Sequence, residues 1–115
     1  MAYVDGFVIP VPTKNVPAYV KMAKAAGKVW MEYGALEYRE CVGDDLEQFG
    51  KPIKLKAGET IVFSWIVYKS KAHRKQVLAK VMADPRIANM APDKMKQPFD
   101  MKRMLYGGFK TVVEM

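Results

Sequence analysis

The chain has 115 residues, of which 50% are hydrophobic and 27% charged, a balance that fits one globular domain over residues 1–115 and excludes a disordered chain. Its +7 charge comes from fifteen lysines and four arginines. The lysines are scattered along the chain, which reads as the solvent side of helices and loops and not as a nucleic-acid footprint. A single Cys41 excludes an intrachain disulfide framework and fits a reducing cytoplasm. No apolar run is long enough to span a membrane, and the first residues have neither the basic leader nor the apolar core of a secretory signal.

A first strand is expected over residues 3–12, "YVDGFVIPVP". Tyr3, Asp5, Phe7 and Ile9 fall on one face, and Val4, Gly6 and Val8 on the other. Helix one follows over 16–33, with Asn15 placed to cap it and Pro17 in its first turn. Val16, Tyr19, Val20, Ala23, Ala26, Trp30 and Tyr33 recur at helical spacing, and Gly34 is the expected stop. A second strand, "ALEYRECVGDD", carries enough charge to be an edge strand. Residues 46–59 read as a polar loop with room for a short ribbon.

The third strand, "TIVFSWIVYKS" at 60–70, is apolar on both faces over most of its length. Ser70 then caps a helix over 71–84, whose buried stripe is Val77, Leu78, Val81 and Met82, and Pro85 ends it. "PRIANMAPDKMKQP" gives irregular helix between prolines, and "RMLYGGFKTVV" is the last strand. Gly107 and Gly108 mark a bulge or a close backbone approach within it.

The order β-α-β-β-α-β predicts a ferredoxin-like α+β fold. Right-handed crossovers put strands one and three in the centre of a four-stranded antiparallel sheet, with both helices on one face. The other face is then open and still apolar, a burden for a domain this small. RNA is one covering. The third strand aligns with the third-strand signature of the RNA-recognition motif at Phe63, Trp65 and Tyr68, but Ile61 and Val62 stand where the motif has a basic residue and Gly. A second copy of the chain meets the need with fewer requirements. It makes Phe63, Trp65, Phe7 and Tyr106 candidate dimer-interface residues.

"YVDGFVIPVP", "ALEYRECVGDD", "VFSWIVYKSK", "KVMADPR" and "FDMKRMLYGGF" resemble the YbaA-like family of uncharacterised bacterial proteins, domain of unknown function 1428. The resemblance runs over nearly the whole chain. It implies membership of the dimeric α/β-barrel superfamily, and hence a homodimer of ferredoxin-like subunits. That superfamily includes cofactor-independent monooxygenases, haem-handling proteins, lactone isomerases and stress-response proteins. Where the family pattern has an acidic residue after Arg74 and later an Asn, this chain has Lys75 and Leu78.

One His and one Cys leave no cluster for a metal, and no cofactor is implied. Asp5 and Glu40 are carboxylates on otherwise apolar faces, and His73 is the one imidazole of the chain; these three are the catalytic candidates. Tyr38, Trp65, Arg103 and Tyr106 are candidates to line a ligand pocket, either between sheet and helices or at the subunit seam. Asp5 and Arg103 also read as a structural ion pair near strand ends. The functional expectation is a homodimer holding a small hydrophobic or aromatic molecule in a cleft. A cofactor-independent monooxygenase or isomerase, and an RNA-binding protein using the open face, stay open as alternatives.

Overall fold

Ten residue pairs tie the first strand to the third. β1 (Tyr3–Pro12) runs antiparallel to β3 (Glu59–Tyr68), in a register that sets Phe7 opposite Ser64 and Val8 opposite Phe63. The computed structural model describes residues 1–115, Gly50 only as the first position of a short helix. β2 (Glu37–Val42) joins the free side of β3 and β4 (Leu105–Lys110) the free side of β1, giving the antiparallel order β2-β3-β1-β4. The two apolar strands are thus central, as their sequences require.

Helix α1 (Val16–Glu32) follows a 3-10 turn at Thr13–Asn15 and stops where Gly34 turns the chain at φ 110°, a conformation side chains with a Cβ rarely adopt. Helix α3 (Lys71–Ala83) starts at Ser70, whose hydroxyl accepts the His73 N–H at 3.0 Å. Both helices pack on the same face of the sheet. Tyr19 and Ala23 meet Ile9, Val11 and Val62, while Val29, Val77 and Val81 meet Ile66 and Tyr68; half-buried Phe7 touches both groups.

Several expectations shift in detail. The 46–59 stretch contains a short helix, α2 (Gly50–Ile53), and no ribbon. Asn15 makes no capping bond; its amide donates instead to the Pro98 carbonyl at 3.0 Å. α4 (Pro85–Ala88) is a single turn begun by Asp84, and residues 89–104 form an irregular strap ending in a 3-10 turn at Met101–Arg103. β4 is shorter than "RMLYGGFKTVV": it ends near Thr111, whose N–H reaches Ala2, because β1 offers no partner beyond its own start. Gly107 and Gly108 pair in continuous register, without a bulge. A Cβ on Gly108 would lie 2.6 Å from the Tyr3 hydroxyl, so the expected close approach is real.

Neither α1 nor α3 packs on the opposite face, which is buried at Pro10 and Ile61 and open farther along. Phe63, Leu105 and Phe109 are 49%, 57% and 60% exposed there, among half-buried Val4, Val8, Trp65 and Val67. Among the described residues no helix is long and apolar enough to cross a membrane.

Candidate ligand cavity between the sheet and the helices

The alternation of β2 turns Tyr38, Glu40 and Val42 toward the helices, opposite Ile66, Ser64 and Val62. There Glu40 becomes a meeting point. The Tyr19 hydroxyl, from the second turn of α1, donates to its Oε1 at 2.7 Å, and the Tyr38 hydroxyl donates to its Oε2 at 2.9 Å. The Ser64 hydroxyl lies beside Tyr19. Burial, and then the Glu40 charge, push both tyrosines well above their ordinary pKa, so both stay neutral donors.

This cluster closes one end of a cavity of about 420 Å³ between the sheet and the helices. Its other walls are apolar or soft: Phe7 and Ile66 from the sheet, Met22 and Trp30 from α1, Phe99 and Met104 from the strap. Phe99 packs edge-on to Tyr19, with ring centroids 5.8 Å apart, and with the Asn15–Pro98 bond it holds the strap over the cavity. On the outer side a groove of about 710 Å³ runs between α1 and β2 past Val20, Lys24, Lys28 and Met31. Tyr19, Tyr38 and Glu40 line both spaces. They form the partition between them.

A second polar cluster lies at the far end of the sheet. Asp5 is 1% exposed. Its Oδ1 accepts from Arg74 Nε at 2.8 Å, and its Oδ2 from the Tyr68 hydroxyl at 3.1 Å. Arg74 also donates to the Tyr106 hydroxyl at 2.7 Å, and the Tyr106 ring stacks on Phe7 with centroids 4.7 Å apart. Trp30 Nε1 donates to the Tyr68 hydroxyl at 3.1 Å, so this network fixes an indole that also walls the cavity. Both Asp5 oxygens are engaged, and its partner is Arg74. The expected Asp5–Arg103 pair does not form, because Arg103 pairs with Glu59 on the opposite face.

The expected ligand set is divided. Tyr38 lines the cavity, and Tyr106 belongs to the Asp5 network. Trp65 is on the open face, its Nε1 donating to Glu37 at 3.0 Å, and Arg103 ends the 3-10 turn that precedes β4. The expected interface set divides as well. Phe63 and Trp65 lie on the open face, whereas the register puts Phe7 and Tyr106 on the helix face. Of the catalytic candidates, Glu40 lines the cavity. Asp5 is held in its network, and His73 stands at the β3–α3 junction with Nδ1 accepting the Lys69 N–H at 2.9 Å. Sequence reasoning passed over Tyr19 and Trp30, which it read only as helix stripe, and the methionines and Phe99 of the strap, which carry no periodic signal. Among the described residues no group of three or more His, Cys, Asp or Glu could hold a metal ion.

Comparison with solved structures places the fold beside NIPSNAP proteins. An uncharacterized NIPSNAP domain protein from Burkholderia xenovorans superposes with a TM-score of 0.58 at 16% identity, covering 96% of this chain and 94% of that one. A NIPSNAP family protein of unknown function from Agrobacterium tumefaciens superposes with a TM-score of 0.59 at 19% identity, covering 96% and 87%. At these identities the likeness concerns the fold alone. By sequence the chain is 40% identical, over 119 aligned positions and 99% of both chains, to the uncharacterized protein YbaA of Escherichia coli K12 and of Shigella flexneri. Residues 2–101 match the model of the protein of unknown function DUF1428, and the chain belongs to that family.

Proposed function

We propose that this protein is a homodimer of ferredoxin-like subunits, a dimeric α/β barrel, that holds a small hydrophobic or aromatic molecule in the cavity beside Glu40. The cavity carries the reading. Its volume of about 420 Å³ falls within the range of small-molecule sites, roughly 300–1,000 Å³, and such sites are mostly apolar with a few convergent polar groups. The strand order β2-β3-β1-β4 and the helices shared on one face support the ferredoxin-like part of the reading.

The exposed Phe63, Leu105 and Phe109 support a second copy on the open face, since an isologous contact covers both apolar patches at once. RNA fits that face less well. Both of its arginines, Arg39 and Arg103, are paired with Glu37 and Glu59, and its strand positions carry no lysine to meet phosphate.

Titration with the neutral apolar dye Nile red tests the cavity. Saturable binding is expected, weakened at least tenfold by Ala26→Phe, which fills the cavity from α1, in a variant whose circular dichroism and melting temperature match the parent. Equal affinity in a folded Ala26→Phe overturns the cavity reading. A monomer mass by light scattering at micromolar concentration overturns the barrel.

The enzyme reading, cofactor-independent oxygenation or isomerisation, draws on Glu40 as a carboxylate in a mostly apolar, open-sided cavity, placed to accept a proton. Oxygen uptake with a phenolic or quinol substrate above the protein-free rate supports it. Identical rates with and without protein remove it.

A further inference from the structure

We infer that the cavity selects a ligand whose head is a neutral hydrogen-bond donor, a hydroxyl on an apolar or aromatic body, and that Glu40 makes it reject the matching carboxylate. The inference rests on the cavity reading above and deepens it.

It follows from where the protons of the cavity wall already go. Tyr19 and Tyr38 both donate their single hydroxyl proton to Glu40. Trp30 donates its indole N–H to Tyr68, behind the wall. Gln97 donates its amide to the Met90 and Met95 carbonyls, at 2.8 and 3.2 Å. What remains toward the cavity is lone pairs: on both Glu40 oxygens, both tyrosine oxygens and the Gln97 carbonyl. The Ser64 hydroxyl, which also lines this space, lies beside the Tyr19 oxygen and is placed to donate to it. The guanidinium of Arg39 is exposed and paired with Glu37, on the other face from Tyr38 and Glu40.

A hydroxyl entering this end therefore finds acceptors and relieves them. A carboxylate finds lone pairs facing lone pairs and a like charge in a medium that screens poorly. Burial raises the pKa of Tyr19 and Tyr38, so both stay protonated, and each has its one proton on Glu40 and none to spare for an incoming anion. A site whose acceptors keep spare lone pairs also favours a ligand that brings a donor over an isostere that brings none.

Three probes with one body separate these cases: 4-propylphenol, 4-propylanisole and 4-propylbenzoate, each displacing Nile red from the 115-residue chain at pH 7. The phenol is expected to displace it at about tenfold lower concentration than the anisole, and the benzoate to be the weakest. In Glu40→Gln, whose amide brings donors, the benzoate should come within about threefold of the phenol. Tyr38→Phe frees a lone pair on Glu40 and should widen the phenol-over-anisole ratio; a ratio that narrows instead counts against the assignment. Benzoate binding as tightly as phenol to the parent protein, or an unchanged phenol-to-benzoate ratio in folded Glu40→Gln, overturns the head-group assignment while leaving the cavity intact. Failure of all three probes to displace the dye overturns both.

Discussion

Gly27 and Tyr38 press against each other between α1 and β2, along the outer groove. A Cβ on Gly27 would lie 2.8 Å from two carbons of the Tyr38 ring. The missing side chain lets the ring lie flat against α1 and bring its hydroxyl to Glu40. Gly27→Ala gains about 1 kcal/mol of helix propensity but forces the ring aside, an overpacking cost of about 1–3 kcal/mol. A net loss of stability is expected by urea unfolding. A stabilised variant would show that the ring moves freely.

Among the described residues Arg74 is the only cation bonded to Asp5, which is 1% exposed. Arg74→Ala leaves that carboxylate buried without its partner, a loss expected to reach about 3–5 kcal/mol. Asp5→Asn combined with Arg74→Met should recover much of it, because no buried charge then remains. Equal unfolding midpoints for the single and double variants would show that the pair is not coupled.

Asp84 ties α4 to α1. The Arg86 side chain, then the Tyr33 hydroxyl and the Arg86 N–H, hold its carboxyl well below the usual carboxylate range. Arg86 and Arg103 lower Glu32 and Glu59 in the same direction. A group with a depressed folded pKa contributes stability that is fully present above its unfolded value, about 4, and is lost as pH falls toward the folded one. Urea midpoints should therefore drop between pH 5 and pH 2, and Asp84→Asn should flatten that decline. A parallel decline in the variant would clear Asp84 of any part in it.

Ser70 caps α3 through its hydroxyl. Ser70→Ala should cost about 1 kcal/mol, read as a lower melting temperature, whereas Ser70→Asp should hold near the parent value.

Phe63 and Phe109 are the exposed aromatic rings of the open face. Phe63→Asp and Phe109→Asp place charge where the second copy is proposed to sit. Each should shift the mass at micromolar concentration from two chains to one without loss of helix signal. A dimer that persists in both variants would place the contact elsewhere.

Much of the architecture could be read from local pattern. Period-two alternation gave β1 and β3 two apolar faces, and their burial on both sides required the centre of the sheet. Pro17, Gly34 and Ser70 marked helix ends through properties of single residues. Glu40 stood out as a carboxylate in an apolar alternation. Alternation, however, sorts residues within one strand and says nothing of which face of one strand lies beside which face of its neighbour. That matching comes from register: Phe7 sits opposite Ser64 and Tyr106, so both aromatics turn to the helices, away from Phe63 and Trp65.

The same limit hid the partners of the charged groups. Arg74, at the start of α3, reaches Asp5 across 69 positions of chain, and Tyr19 reaches Glu40 across 21. Neither separation leaves a periodic trace, since such pairs are made only when the helices dock. The cavity is of this kind too. It exists because an aperiodic strap, held by Asn15 and Phe99, spans the gap between α1 and the sheet. Faces and helix ends were thus written in the order of the residues, while the cavity and the direction of every proton around it arose from packing distant segments together.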